Sequence, residues 1–189
     1  MNPERYLLVV SGPSGVGKDT VVRRMRELHP EVGFSVSATT RAPREGEADG
    51  VDYHFLTKEA FERHIADNTV VEYTCYCGNY YGTLCSEIEP RMERGEPVVL
   101  VIEVEGAENI KRKYPECTTV FVLPPSREEL RRRLSGRGTE DEKTIEKRLA
   151  RADEELALAK TYDHTVVNDT PDACAEEIYS ILRSRLAED

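Results

Sequence analysis

The sequence lacks any apolar run long enough to cross a bilayer, since its longest ones, such as Val98–Ile102, are far shorter than a membrane span. The opening MNPERYLLVV has a brief apolar stretch and no small-residue cleavage site, so we expect no signal peptide. Low-complexity tracts and internal repeats are also missing, and 39% of the residues are hydrophobic, which argues against a disordered chain. A length of 189 residues predicts one domain.

Cysteine pairs with zinc-binding spacing are absent too. The five cysteines form no C-x-x-C pair, and the four histidines have no metal-ligand spacing. This pattern is typical of a protein with reduced thiols, and we expect a cytoplasmic location.

An excess of positive charge is the third absence. Thirty-six acidic residues against 26 basic ones give a net charge of −10. We therefore expect neither a nucleic-acid polymer nor a membrane among the partners. If the protein handles a phosphate-bearing ligand, its arginines have to be concentrated locally against this average.

Four short, β-branched apolar runs predict strands that are covered on both faces, as in a parallel sheet. They are Tyr6–Val10, Val98–Ile102, Thr119–Leu123 and His164–Val167. Amphipathic stretches between them predict helices. These are Lys18–Leu28, Cys85–Arg94, Ala107–Lys113, Arg127–Leu134, Glu142–Leu158 and Pro171–Leu186. Alternating strands and helices predict an α/β domain of three αβα layers around a parallel central sheet.

Residues 33–84 have a different pattern. Short alternating pieces at Gly33–Ala38, Tyr53–Leu56 and Val70–Tyr76 are separated by Gly/Pro-rich turns, which predicts a small antiparallel insert. The polar tract SGRGTED at residues 135–141 lies between two charged helical stretches and predicts a lid over about residues 126–159. The core is then 1–32, 85–125 and 160–189.

A phosphate-binding loop (P-loop) follows the first predicted strand. The motif G-x-x-x-x-G-K occupies Gly12, Pro13, Ser14, Gly15, Val16, Gly17 and Lys18, and a helical pattern begins directly after it. Glycines let successive backbone N–H groups surround a polyphosphate, and the helix N-terminus adds positive partial charge. Lys18 then reaches the β- and γ-phosphates, so the loop predicts a site for a polyphosphate.

The residue after the lysine is unusual. Asp19 stands where Ser or Thr normally supplies a hydroxyl ligand to Mg²⁺, and Thr20 follows it. A carboxylate is also a hard oxygen ligand, so Asp19 is our candidate for holding Mg²⁺ directly or through water. The alternative is an exposed first-turn residue that complements the helix dipole.

A second group of polar residues is suited to a phosphate. Arg41 and Arg44 lie three positions apart around a proline turn, where their planar guanidinium groups can converge on one phosphate. Tyr53 offers a hydroxyl to the same group. Glu72 ends an apolar stretch, and the NYYGT segment at 79–83 supplies further donors.

These motifs together resemble the guanylate kinase family. The segments S-G-P-S-G-V-G-K, S-V-S-x-T-T-R-x-P-R-x-G-E-x-x-G-x-D-Y and G-N-Y-Y-G-T occur in the family's order and spacing. The match continues through P-P-S, G-R-G-T-E, Lys147-Arg148 and V-V-N-D, and it covers nearly the whole chain.

The resemblance implies a role for each matching position. The phosphate of GMP would be held by Arg41, Arg44, Tyr53 and Tyr81, and guanine would be read by Ser37, Glu72 and Thr83. Arg148 would join Arg137, which lies between two glycines, over the ATP phosphates. Asn168 would line the adenine pocket.

The chain departs from the family in the segment VVLVIEVEG at 98–106. The family has two acids separated by one position and then a glutamine, whereas this chain has Val101, Glu103 and Glu105. Glu103 is the acid placed at the end of a central strand, where it would touch guanine or orient the hydration of Mg²⁺.

The function implied is Mg²⁺-dependent transfer of the ATP γ-phosphoryl group to GMP, with Lys18, Arg44, Arg137 and Arg148 as the catalytic residues. The expected substrates are ATP and GMP, with dGMP left open, and the expected protein is a monomer or a weak homo-oligomer. Two alternatives remain at this point. One is a ribose 1,5-bisphosphate phosphokinase, whose loop also carries G-K-D. The other is a non-catalytic guanylate-kinase-like module that binds proteins.

Overall fold

The computed structural model describes residues 2–135 and 142–187, and its core is a five-stranded parallel sheet. The strand order is β2-β7-β1-β8-β9. These strands are β1 (Leu7–Ser11), β2 (Gly33–Phe34), β7 (Val98–Val101), β8 (Thr118–Leu123) and β9 (His164–Val167). All five residues of β1 are buried, because this central strand is covered on both faces.

Helices cover the two faces of the sheet. One face carries α1 (Lys18–Leu28) and α7 (Pro171–Leu186), and the other carries α3 (Cys85–Glu93) and α4 (Val104–Lys113). Successive side chains of β1 point to opposite faces, so Leu8 packs in the first cluster and Leu7 in the second. The predicted three-layer α/β arrangement is therefore confirmed.

A second sheet has the order β4-β3-β6-β5. Its strands are β3 (Ala38–Thr39), β4 (His54–Phe55), β5 (Val70–Tyr76) and β6 (Asn79–Leu84), and α2 (Lys58–Ala66) packs Phe61 against it. Strand β6 pairs antiparallel with both β3 and β5, as expected of the insert. Strands β3 and β4 pair parallel, because residues 40–53 return the chain to the end of the sheet at which β3 begins.

Two details of the insert were predicted wrongly. Gly33–Phe34 is not part of the second sheet but pairs parallel with β7, because the chain leaving α1 returns to the central sheet first. Helix α2 was not predicted, although Thr57 accepts a hydrogen bond from the Ala60 N–H as an N-cap, and Phe61 and Ile65 are spaced four apart.

The predicted lid contains α5 (Arg127–Ser135) and α6 (Glu142–Leu156). Their facing side chains form a separate small cluster, which includes Leu130, Leu134, Ile145 and Leu149. Residues 136–141 lie outside the described residues, and Arg137 is among them. In the part of the chain that the structure describes, no helix has the length and apolar character needed to cross a membrane.

Candidate active site

The loop between β1 and α1 depends on glycine. Gly12, Gly15 and Gly17 all have positive φ, at 153°, 84° and 98°. A Cβ at Gly12 would lie 2.5 Å from the Val122 carbonyl oxygen, and one at Gly15 would lie 2.5 Å from Leu134 Cδ2. Gly12 therefore packs against the end of β8 and Gly15 against helix α5. A side chain at either position would clash with these neighbours.

Lys18 begins α1 and is 9% exposed. Its Nζ donates a hydrogen bond to the Gly12 carbonyl at 2.6 Å and lies 3.6 Å from Glu103 Oε1. The Glu103 side chain, at the N-cap of α4, is 60% exposed. The ammonium group is thus held across the mouth of the loop, where an incoming phosphate can replace the weak contact with Glu103.

Two side chains support the loop from beneath at Val16. Asn168, which is 2% exposed, donates from Nδ2 to the Val16 carbonyl at 2.8 Å. Arg133 donates to the same carbonyl at 2.9 Å and to the Asn168 carbonyl at 3.0 Å. Sequence reasoning proposed Asn168 for the adenine pocket, but it missed Arg133, which nothing distinguishes from the neighbouring arginines in the sequence.

Helix α6 contacts the loop at Ser14. Arg148 donates from Nη2 to Ser14 Oγ at 2.8 Å. Glu155, which is 8% exposed, accepts the Ser14 N–H on Oε2 at 3.3 Å and the Arg151 Nε–H on Oε1 at 2.9 Å. The structure therefore places Arg148 at Ser14 of the loop, and it adds Glu155, which sequence reasoning missed.

A second cluster forms on the insert around Arg41. Its guanidinium makes a bidentate pair with Glu47, with both N···O distances at 2.9 Å, and lies over the Tyr53 ring. The rings of Tyr53 and Tyr81 meet edge to face with centroids 6.3 Å apart. Three of the four residues proposed for the GMP phosphate thus lie together, and a carboxylate occupies the arginine fork that would take the phosphate.

Glu47 was not predicted, although it lies within the insert motif. It also accepts the main-chain N–H of Arg44 at 2.7 Å, while the Arg44 residue itself is exposed. The hydrogen bonds from Arg41 hold the pKa of the Glu47 carboxyl below its ordinary value, so it stays ionised. Glu47 therefore holds the side chain of Arg41 and the main chain of Arg44 on one turn.

Glu72 and Thr83 form a polar pocket between β5 and β6. They are directly opposite in the register of the two strands, and the Thr83 hydroxyl donates to Glu72 Oε1 at 3.0 Å. Burial raises the pKa of the Glu72 carboxyl. Gly106 on α4 lies beside it, since a Cβ there would be 3.0 Å from Glu72 Oε2.

Ser37 immediately precedes β3 and is partly buried. Its carbonyl accepts the His54 N–H at 2.8 Å. Glu87 holds the same region by accepting the Val36 N–H at 2.9 Å and contacting His54 Nε2 at 2.7 Å. Ser37 is therefore on a fixed segment of the insert.

The start of α4 lies between the phosphate loop and the insert. Glu103, its N-cap, is near Lys18, and Gly106 in its first turn lies beside Glu72. Burial raises the pKa of Tyr53, while the neighbouring Arg41 guanidinium opposes this rise. Asp19 and Thr20 are both exposed in the first turn of α1. The phosphate loop and the Glu72 pocket of the insert thus approach each other at the start of α4.

The donor set is compatible with a metal that arrives on a nucleotide. Within residues 2–135 and 142–187, no three or more His, Cys, Asp or Glu side chains are grouped as a metal site. Asp19 provides one exposed carboxylate beside the loop. Mg²⁺ is commonly held by one or two carboxylates together with substrate phosphates and water, which fits this arrangement.

Comparison with known proteins gives a consistent result. The family model described as guanylate kinase matches residues 4–185. A guanylate kinase from Gloeobacter violaceus is 53% identical over 181 residues, covering 96% of this chain and 88% of the relative. One from Rubrobacter xylanophilus is 48% identical, covering 96% and 95%. A crystal structure of guanylate kinase from Anaplasma phagocytophilum superposes with a TM-score of 0.75 at 32% identity, covering 96% of this chain and 86% of that one.

Proposed function

The chain belongs to the guanylate kinase family and is an ATP:GMP phosphotransferase, and we propose how its residues divide this work. The observation that carries the proposal is that the start of α4 contacts both regions. Glu103 lies 3.6 Å from Lys18 of the loop, and Gly106 lies beside Glu72 of the insert. No observation favours the ribose 1,5-bisphosphate kinase or the protein-binding module.

In the proposal, ATP binds on the phosphate loop. The backbone of residues 12–17 surrounds its phosphates, Lys18 bridges the β- and γ-phosphates, and Arg148 moves from Ser14 to the γ-phosphate. Arg137, outside the described residues, joins it there on the strength of the family resemblance. Asn168 contributes by holding the loop from beneath. Helices α5 and α6 act as the lid.

GMP binds on the insert. Its phosphate takes the place of the Glu47 carboxylate in the Arg41 fork and is also held by Arg44, Tyr53 and Tyr81. Guanine enters the pocket of Ser37, Glu72 and Thr83. Its N1–H and N2–H₂ are parallel donors that one carboxylate can accept together, whereas adenine presents an acceptor at N1. We assign Glu103 to this site as well, although its contact in the structure is with Lys18 at 3.6 Å.

Transfer is in line between two bound anions. The GMP phosphate oxygen that attacks is already ionised, so no general base is needed. The protein supplies position and neutralises the charge that develops on the transferred group, through Lys18, Arg44, Arg137 and Arg148. Lid closure excludes water that would otherwise hydrolyse ATP.

We also propose Asp19 as the residue that holds Mg²⁺, with Thr20 beside it. Mg²⁺ would supply charge neutralisation at the β- and γ-phosphates. Asp19 is exposed, adjoins Lys18 and carries a hard oxygen donor, which supports this role. The five free cysteines of the described residues support a reducing, cytoplasmic location.

One experiment tests both assignments on the loop: GMP-dependent ADP release measured against Mg²⁺ concentration. We expect Lys18→Ala to lower kcat on the order of a thousandfold, because the transferred charge loses its main buried partner. Asp19→Ala should move the Mg²⁺ dependence to higher concentration. Lys160→Ala, an exposed lysine beyond α6, is the control and should behave as wild type. Near-normal turnover of Lys18→Ala would refute the proposed ATP site.

A further inference from the structure

We propose that Glu155 is a positioning residue for ATP, which holds the phosphate loop in shape and ties it to the lid helix. The proposal rests on the assignment of the loop to ATP. It goes beyond the family motifs, because Glu155 lies outside every segment on which the resemblance depends.

The contact geometry at Glu155 is specific. The carboxylate lies in the last turn of α6 and is 8% exposed. Its two oxygens have separate partners: Oε2 accepts the Ser14 N–H at 3.3 Å, and Oε1 accepts the Arg151 Nε–H at 2.9 Å. Ser14 is the third residue of the loop, so Glu155 fixes the orientation of a peptide group in the middle of the phosphate-binding backbone.

Arg148 lies on the same face of α6, since seven residues correspond to two helical turns. Its Nη2 donates to the hydroxyl of the same Ser14 at 2.8 Å. Two side chains of α6 therefore bind one loop residue, one at the main chain and one at the side chain. The position of α6 and the orientation of Ser14 are therefore coupled through these two contacts.

Packing alone does not explain a carboxylate at this position. The buried face of α6 consists of Ile145, Leu149, Ala152 and Glu155, so the acid continues an otherwise apolar stripe. Burying a charge costs free energy unless it is paired, and an apolar residue of similar size would stabilise the helix at least as well. The loop contact supplies the reason for the acid.

The C-terminal part of α6 lies beside a cavity on the side of α4. A cavity of about 500 Å³ lies between the two helices and is lined in part by Arg151, Glu155 and Leu158. The hydrogen bond to Ser14 therefore anchors this end of the lid to the core at the phosphate loop.

Arg151 makes a negative charge acceptable beside a polyphosphate site. Its side chain is 63% exposed and pairs with Glu155 one turn away. The loop thus contacts a neutral pair, while the carboxylate keeps its strength as an acceptor. Glutamine at this position would keep an acceptor for the Ser14 N–H, and methionine would keep only the volume.

The test compares Glu155→Met with Glu155→Gln by measuring separate KM values for ATP and GMP. For Glu155→Met we expect the KM for ATP to rise on the order of tenfold, with the KM for GMP within about twofold of wild type. Glu155→Gln should restore most of the ATP affinity. Direct titration with ADP should give the same order in Kd.

Asp163→Asn is the matched control. Asp163 also accepts a main-chain N–H, that of Thr119 at 2.8 Å, but near the start of β8 and away from the loop. Its substitution should lower the free energy of unfolding without separating the two KM values. If Glu155→Met does not fold, Arg151→Met takes its place, with a smaller rise in the KM for ATP.

Equal changes in both KM values, or an unchanged KM for ATP in Glu155→Met, would overturn the proposal. So would Glu155→Gln behaving like Glu155→Met. A wild-type protein that releases no ADP with GMP would refute the proposed function instead, so the two failures are distinguishable.

Discussion

At the scale of single residues, Glu72 is the side chain that we propose selects the base. Its carboxylate is partly buried between β5 and β6 with one hydroxyl donor, Thr83, in place. A buried acceptor that lacks its partners costs free energy, so a base that offers two parallel donors is favoured over one that offers an acceptor. The same burial raises the pKa of the carboxyl and makes this recognition sensitive to pH.

We predict that kcat/KM for GMP falls as the pH is lowered, beginning above the ordinary carboxyl pKa of 4.5. A protonated Glu72 loses the ability to accept both guanine donors. The raised pKa also sets how stability depends on pH. Because the folded state binds the proton more tightly than the unfolded state, the contribution of Glu72 to stability falls as the pH rises from 4.5 through the raised pKa.

Glu72→Gln should lower kcat/KM for GMP on the order of a hundredfold at neutral pH, because its amide NH₂ group opposes the guanine donors. The pH dependence above 4.5 should flatten as well. Glu62→Gln, an exposed substitution on α2 of the same sheet unit, is the control. A retained preference for GMP over AMP in Glu72→Gln would remove Glu72 from the base pocket.

Among single residues, the sequence predicts those that belong to contiguous motifs. It misses residues whose contacts are with partners far away in the sequence. Lys18, Arg41 and Tyr53 are recognisable because their neighbours in sequence carry the pattern. Glu155 contacts Ser14, which lies 141 positions away, and one glutamate in a charged helix resembles any other. Glu47 lies inside a motif, but its pairing with Arg41 depends on the shape of the turn.

Among the elements that carry the site residues, the phosphate loop is the one most tightly constrained by packing. Gly12 is placed so that any side chain would meet the backbone of β8, and backbone atoms cannot move aside as a flexible side chain can. Gly15 meets Leu134 of α5 instead. The loop thus takes its shape from the sheet on one side and from the lid on the other.

We predict that Gly12→Ala lowers the free energy of unfolding by about 3 kcal/mol, from positive-φ strain together with the contact with Val122. Gly78→Ala provides the control, because Gly78 has a φ of 78° and a Cβ added there would meet no atom within 4 Å. That variant should lose only about 1 kcal/mol. Urea denaturation measures both, and equal losses would show that packing against β8 is unimportant.

The sequence predicts helices α1 and α7 and strand β9 well, and it misses strand β2 and helix α2. Helices α1 and α7 begin and end where the pattern predicts, at Lys18–Leu28 and Pro171–Leu186. Strand β2 has only two residues, too few to show a period, and its place at the edge of the central sheet follows from the β1-α1-β2 connection. Helix α2 forms with an N-cap and two apolar residues four positions apart, a pattern from which we predicted no helix.

The molecule as a whole is acidic, yet cations are concentrated at its site, where carboxylates such as Glu47 and Glu155 pair with arginines. The chain has a net charge of −10, yet the cations that contact or flank the loop and the insert are Lys18, Arg41, Arg44 and Arg148, with Arg133 beneath the loop. An acidic exterior discourages nucleic-acid polymers, while the local cations attract two small nucleotides. Where the charges lie therefore matters more for substrate choice than their sum.

The most direct test of this account is ADP release by the purified chain with ATP and Mg²⁺, in the presence of GMP, AMP, CMP, UMP or ribose 1,5-bisphosphate in turn. The account predicts rapid ADP release with GMP and at least about a hundredfold lower kcat/KM with each of the other acceptors. Comparable turnover with AMP or with ribose 1,5-bisphosphate, or ADP release that does not depend on an acceptor, would contradict it.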